Sequence, residues 1–202
     1  MKSRLKERKT IAPRFRLYVT NEQASDLIQA AYAAEVEARH GKLVLDEHTA
    51  QHIGQAADAL TGGDKFGIAF CGEVGNGKTT LMSAICNLVG YLYGNEEISF
   101  RKVNATGIAS KYGCGGDFMR LCEEPLLAID DLGCEPVEVM SYGNVLTPTV
   151  ELIMARYERQ LYTMVTTNIE PRKIAERYGE RVADRFREML YIIPFTNKTY
   201  RK

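Results

Sequence analysis

No apolar stretch in the 202 residues is long enough to cross a bilayer, and no apolar segment follows the basic first residues. Neither a membrane span nor a signal peptide is expected, which points to the cytoplasm. Cysteine is scarce: Cys71, Cys86, Cys114, Cys122 and Cys134 are odd in number and form no C-x-x-C pair, as suits reduced thiols rather than zinc ligands. His48 and His52 stand four apart on a predicted helix, a possible metal spacing, but no third ligand is near. A net charge is also lacking, since 26 basic residues balance 26 acidic ones. Charge is nevertheless uneven. Residues 1–19 hold Lys2, Arg4, Lys6, Arg8, Lys9, Arg14 and Arg16 against Glu7, a surplus of +6. This basic flexible tail suits nucleic acid or an acidic partner, and it equally suits an ordinary solvated terminus.

What is present begins with 45% hydrophobic and 26% charged residues, enough to bury a substantial core in one domain with a small appendage. The most informative stretch is Gly72-Glu73-Val74-Gly75-Asn76-Gly77-Lys78-Thr79, which fits G-x-x-x-x-G-K-[ST]. The apolar run 66–71 before it has the length of a buried strand, and residues 80–88 after it have helical spacing. Gly72, Gly75 and Gly77 let the backbone amides turn toward a phosphate, and Asn76 and Thr80 flank the turn. Lys78 reaches the β and γ phosphates, while the Thr79 hydroxyl is a ligand for Mg²⁺. Mg-ATP or Mg-GTP is the expected ligand.

Thr20 and Gln23 form a predicted capping box opening a helix with an apolar stripe of Ala24, Leu27, Ile28, Ala31, Ala34 and Ala38, stopped at Gly41. Asp46 caps a second helix carrying Ile53, Ala56, Ala57 and Leu60, ended by Gly62-Gly63. Neither has the apolar area to stand alone, so both are expected to dock on the nucleotide domain. Residues 98–103 read as the next strand and residues 112–117 as a surface loop.

Pro125–Gly133 is an apolar run ending in Asp130-Asp131, a Walker B pattern in which a buried parallel strand delivers two carboxylates to the sheet edge. Asp130 is the candidate for holding Mg²⁺ through water and Asp131 for orienting the attacking water. Thr147-Pro148 opens a helix bearing Val150, Ile153, Met154, Tyr157 and Leu161. The strand 162–168 ends in Thr166-Thr167-Asn168, where Asn168, with Thr167 second, is placed to bond a γ-phosphate or water. Arg181 and Arg185 lie one turn apart on a later helix, either as a finger toward the γ-phosphate or as half of an ion-pair face with Glu180 and Asp184. Tyr191–Phe195 is a last strand, with Pro194 marking an edge.

The phosphate loop GEVGNGKTT, the stretch LLAIDDLG, the segment TTN and the terminal YGERVADR, in this order, resemble an AAA+ ATPase of the DnaC/IstB type from about Phe66 onward. The resemblance implies an α/β, three-layer ASCE P-loop fold with a five-stranded parallel sheet in the order 5-1-4-3-2. It also implies ATP with Mg²⁺, Asn168 as sensor 1 and Arg181 as the arginine finger. Proteins of this type load a replicative helicase onto single-stranded DNA or assist a transposase, and self-association on ATP is part of that expectation. The pattern departs from other AAA+ proteins where Asp131 replaces Glu and where no C-terminal lid follows the fifth strand. The expected division is a tail over 1–19, a helical extension over 20–63 and an ATPase core over 64–202.

Overall fold

The computed structural model describes residues 14–94, 98–112, 116–141, 143–197 and 199–200. Helix α1, Asn21–Ala38, opens with Thr20 accepting from the Gln23 amide while the Gln23 side chain returns to the Thr20 amide. It ends where the Gly41 amide bonds the Val36 carbonyl at 2.9 Å. Its buried stripe differs from the expected one: Ala24, Ile28 and Tyr32 are buried at i, i+4 spacing, whereas Ala34 and Ala38 face solvent. Tyr32 takes the buried place because its ring supplies the apolar area that an alanine lacks. Helix α2, Glu47–Thr61, is capped by Asp46, which accepts from the Thr49 amide, and it buries Ile53, Ala56, Ala57 and Leu60 as its spacing predicts.

Strand β1, Gly67–Gly72, leads through the glycine loop into α3, Lys78–Tyr93. Strand β2, Arg101–Asn104, is shorter than the predicted run because it is an edge strand whose pairing with β3, Leu126–Leu132, begins only at Arg101 opposite Leu127. Two short helices, α4 (Ile108–Tyr112) and α5 (Gly116–Glu123), stand between β2 and β3. They correct the expected surface loop at Gly116 and Asp117; the middle of that loop is outside the described residues. An antiparallel hairpin, β4 (Val139–Ser141) with β5 (Asn144–Leu146), precedes α6, Pro148–Arg159. Strand β6 (Tyr162–Thr167), helices α7 (Ile174–Tyr178) and α8 (Glu180–Met189), and strand β7 (Tyr191–Phe195) complete the order.

Five strands form one parallel sheet, β2-β3-β6-β1-β7. Counting only these five in chain order, the sheet reads 5-1-4-3-2, as expected; the inserted hairpin accounts for the higher labels. Alternation along each strand divides the core into two layers. Ile68 and Phe70 of β1 join Ala128, Met164, Ile193 and helices α1 to α3 on one face. Ala69 and Cys71 join Ile129, Val165 and helices α4 to α8 on the other. The N-terminal helices therefore share the core of the sheet. The expected tail is likewise packed at its inner end: Leu17 is buried, its amide bonds the Leu60 carbonyl, and Arg16 donates to the carbonyls of Gly63 and Lys65. Lys2, Arg4, Lys6, Arg8 and Lys9 lie outside the described residues.

The α6 stripe is centred on Leu152 and Arg156 rather than on Tyr157 and Leu161. Arg156 is fully buried, and its guanidinium donates at 2.8 Å to Thr163 Oγ1 and to the carbonyls of Leu121, Glu124 and Tyr162. Burial pulls its pKa down to about 9. A hydropathy pattern puts a charge outside, and four acceptors from α5, the residue after it and β6 reverse that preference.

Candidate nucleotide-binding site

Parallel strands deliver their C-terminal ends to one edge of the sheet, and the loops leaving β1, β3 and β6 meet there. They line a cleft of about 470 Å³ that takes in residues 74–80, Asp130, Asp131 and Asn168, with Tyr32, Arg39, Lys42 and Tyr200 on its outer wall. Gly75 (φ +84°) and Gly77 (φ +99°) occupy left-handed backbone, which explains glycine at these two places. Lys78, at the first turn of α3, donates to the carbonyls of Gly72 (2.7 Å) and Glu73 (2.5 Å) and to Asn76 Oδ1 (3.1 Å). The Asn76 amide group in turn donates to the Phe195 carbonyl, so the loop is fixed to β7.

The Asp130 carboxylate of β3 is held from two sides. Thr79 Oγ1 donates to Asp130 Oδ1 at 2.9 Å, and Thr166 Oγ1 donates to the same oxygen at 2.5 Å. The Asp131 amide donates to Thr166 Oγ1, and Asp131 sits at φ +56° where the β3–β6 register breaks between Ile129 and Leu132. A non-glycine residue in left-handed backbone costs about 1–3 kcal/mol, and such strain persists where surrounding bonds hold it. The bulge turns two successive acids toward the cleft, where a regular strand would send them to opposite faces. Thr79 and Asp130 are hard oxygen donors within 3 Å of each other, a donor set that fits Mg²⁺.

Thr166 is the residue that the sequence reading passed over. Thr167, given the secondary role beside Asn168, instead donates to the Leu132 carbonyl and accepts from the Ile169 amide, so it serves the turn. Residues 166 and 168 share a face by the period of two, and Asn168 is exposed at the cleft. Arg181 and Arg185 are not brought to the cleft of their own chain. Arg181 is exposed at the start of α8, while Arg185 pairs with Asp184 and Glu188 and lies 4.5 Å over the Tyr157 ring. Cys71, beside the loop, is buried, and burial raises its thiol to about 12, which leaves it without thiolate chemistry.

His48 is exposed, whereas His52 is buried, stacked on Phe195 at 3.8 Å and bonded to the Pro194 carbonyl. The two rings thus do not share a site, and no group of three His, Cys, Asp or Glu side chains among the described residues could hold a metal ion. No helix among those residues is long and apolar enough to cross a membrane.

A five-stranded parallel sheet in this order between two helical layers, with a glycine loop and paired carboxylates at its C-terminal edge, is a three-layer α/β fold of the P-loop type. By sequence, the chain matches no protein-family model and no curated protein. Among solved structures it is similar to DnaI, at 18% identity and TM-score 0.62, over 93% of this chain and 96% of that chain. It is similar also to the DnaC helicase loader, at 19% identity and TM-score 0.59, over 83% of this chain and 99% of that one. A third likeness is to replication initiator DnaA bound to AMPPCP and single-stranded DNA, at 18% identity and TM-score 0.57, over 77% of this chain and 49% of that one. At such identities the likeness shows the fold.

Proposed function

We propose that the chain is a DnaC-like AAA+ ATPase that binds and hydrolyses Mg-ATP and acts in DNA replication as a helicase loader on single-stranded DNA. The observation that carries this reading is the Thr79–Asp130–Thr166 hydrogen-bond chain, which joins the phosphate loop, the acidic strand and the strand leading to Asn168 in one cleft. The likeness to the DnaC helicase loader and to an initiator bound to AMPPCP and single-stranded DNA supports the same reading.

In it, the loop amides and Lys78 bind the phosphates, the Asp131 carboxylate accepts a hydrogen bond from the attacking water, and Asn168 orients that water against the γ-phosphate. Mg²⁺, held by Thr79 and Asp130, supplies neutralisation of the phosphate charge when bound. Arg181, exposed and outside the cleft of its own chain, serves a neighbouring copy, so turnover depends on self-association.

The test is ATP turnover by purified protein over a range of protein concentrations and at two salt concentrations, with and without single-stranded DNA. Turnover per chain that rises with concentration and with DNA, and that Asp131→Asn and Arg181→Ala abolish without loss of ATP binding, is the expected result. Undiminished turnover in both variants overturns the assignment of these residues. Flat, negligible turnover with tight ATP binding favours an ATP-dependent adaptor instead.

A further inference from the structure

Asn197 and Tyr200, beyond β7, lie across the phosphate loop. Asn197 Nδ2 donates to the Asn76 carbonyl at 3.1 Å, and the Tyr200 amide donates to the Gly75 carbonyl at 2.9 Å. In a planar trans peptide the C=O of one residue and the N–H of the next point in opposite directions. Holding the Gly75 carbonyl on one side therefore sends the Asn76 amide to the other, and holding the Asn76 carbonyl does the same for the Gly77 amide. Successive amides aimed one way are what an anion cradle requires, and a carbonyl turned among them would repel phosphate.

Tyr200 also reaches outward. Its hydroxyl donates to the Asp46 carboxylate, lying 2.9 Å from Oδ2 and 3.1 Å from Oδ1, and it lies 3.1 Å from Thr49 Oγ1. Asp46 is the cap of α2, and its carboxylate accepts from the Thr49 amide at 2.8 Å. Burial acts to raise the Asp46 carboxyl, but the bonds from the Thr49 amide and the Tyr200 hydroxyl outweigh it and hold the group below its ordinary value. At Gly77 a Cβ would stand 3.2 Å from the Tyr32 hydroxyl of α1 and 3.7 Å from the Tyr200 ring. Tyrosines from both ends of the chain thus enclose the last glycine of the loop.

We propose that Asn197 and Tyr200 are positioning residues of the nucleotide site. The segment carrying them is a strap that keeps the carbonyls of Gly75 and Asn76 turned away from the phosphates, and the Tyr200–Asp46 bond links the loop to the first turn of α2. Occupancy of the loop is thereby transmitted to the N-terminal helices. This inference rests on the reading of the cleft as an ATP site.

The experiment compares wild type with Asn197→Ala, Tyr200→Ala, Tyr200→Phe and Lys78→Ala, using a fluorescent ATP analogue with Mg²⁺ for affinity and hydrogen exchange for the first turn of α2. Asn197→Ala loses one loop-orienting bond, and Tyr200→Ala keeps its amide but loses the ring and hydroxyl that anchor that amide over Gly75, so each is expected to weaken analogue binding about tenfold. Tyr200→Phe keeps the amide and the ring, so its affinity is expected to stay within about threefold of wild type. Slower exchange in α2 on adding nucleotide is expected in wild type and is lost in Tyr200→Phe. Melting temperatures without nucleotide separate general destabilisation from loss of loop geometry. Affinity changed less than twofold in both alanine variants overturns the strap, and an α2 response that is absent in wild type or retained in Tyr200→Phe overturns the link. If wild type binds no more analogue than Lys78→Ala, the ATP reading itself fails, an outcome distinct from a binding wild type with indifferent strap variants.

Discussion

At the scale of single residues, the site depends on side chains whose partners are far away in the chain. Thr166 bonds both the Asp130 carboxylate and the Asp131 amide, so it sets the bulge that presents the two acids. Supporting residues of this kind are worth about 10–100-fold in metal affinity or activity, and Thr166→Val is expected to cut ATP turnover by about that factor, measured at saturating Mg-ATP. Arg156 has the corresponding role in the core. Arg156→Ala removes four donor contacts and leaves three buried carbonyls and a hydroxyl without them, an expected loss of about 3–5 kcal/mol in urea denaturation. Arg156→Lys is expected to recover only part of this, because an ammonium cannot span the planar fork's acceptors.

At the scale of elements, local rules are well obeyed where they are local. Thr20 with Gln23 closes the start of α1, and Thr20→Ala is expected to cost about 0.5–2 kcal/mol by thermal or chemical unfolding, with ATP affinity unchanged. Asp46, the glycine loop and Pro148 at the first turn of α6 all stand where their residue types place them. The hairpin β4–β5 and the helices α4 and α5 escaped notice because each is short. Three-residue strands carry too little alternation to register as a pattern, and helices of five and eight residues too little periodicity.

At the scale of the whole molecule, the N-terminal helices are fastened to the parallel sheet by a buried contact that titrates. Burial holds the His52 imidazole below its ordinary value while the ring stacks on Phe195 of the edge strand. An unfolded chain protonates His52 near its usual pKa of about 6.5, whereas the folded chain resists until lower pH, so the unfolded state binds more protons in that window. Stability is therefore expected to fall as pH drops from 7 through 6.5 toward the depressed value, seen as a falling melting temperature. His52→Gln is expected to flatten that part of the profile. An equal slope in the variant would assign the acid sensitivity to other groups.

The sequence by itself determined the strand–glycine loop–helix unit and the acidic strand end, because each is written in neighbouring residues with a fixed period or spacing, whereas it carried the order of the five parallel strands only through the family resemblance of those motifs. Only the tertiary structure decided that Thr166 rather than Thr167 serves the Asp130 carboxylate, that Arg156 is buried and that Tyr200 closes on Asp46 across the loop. It alone also decided that Arg181 lies outside its own cleft. These depend on which distant atoms satisfy a hydrogen bond or solvate a charge, and no local pattern encodes the identity of a partner a hundred residues away.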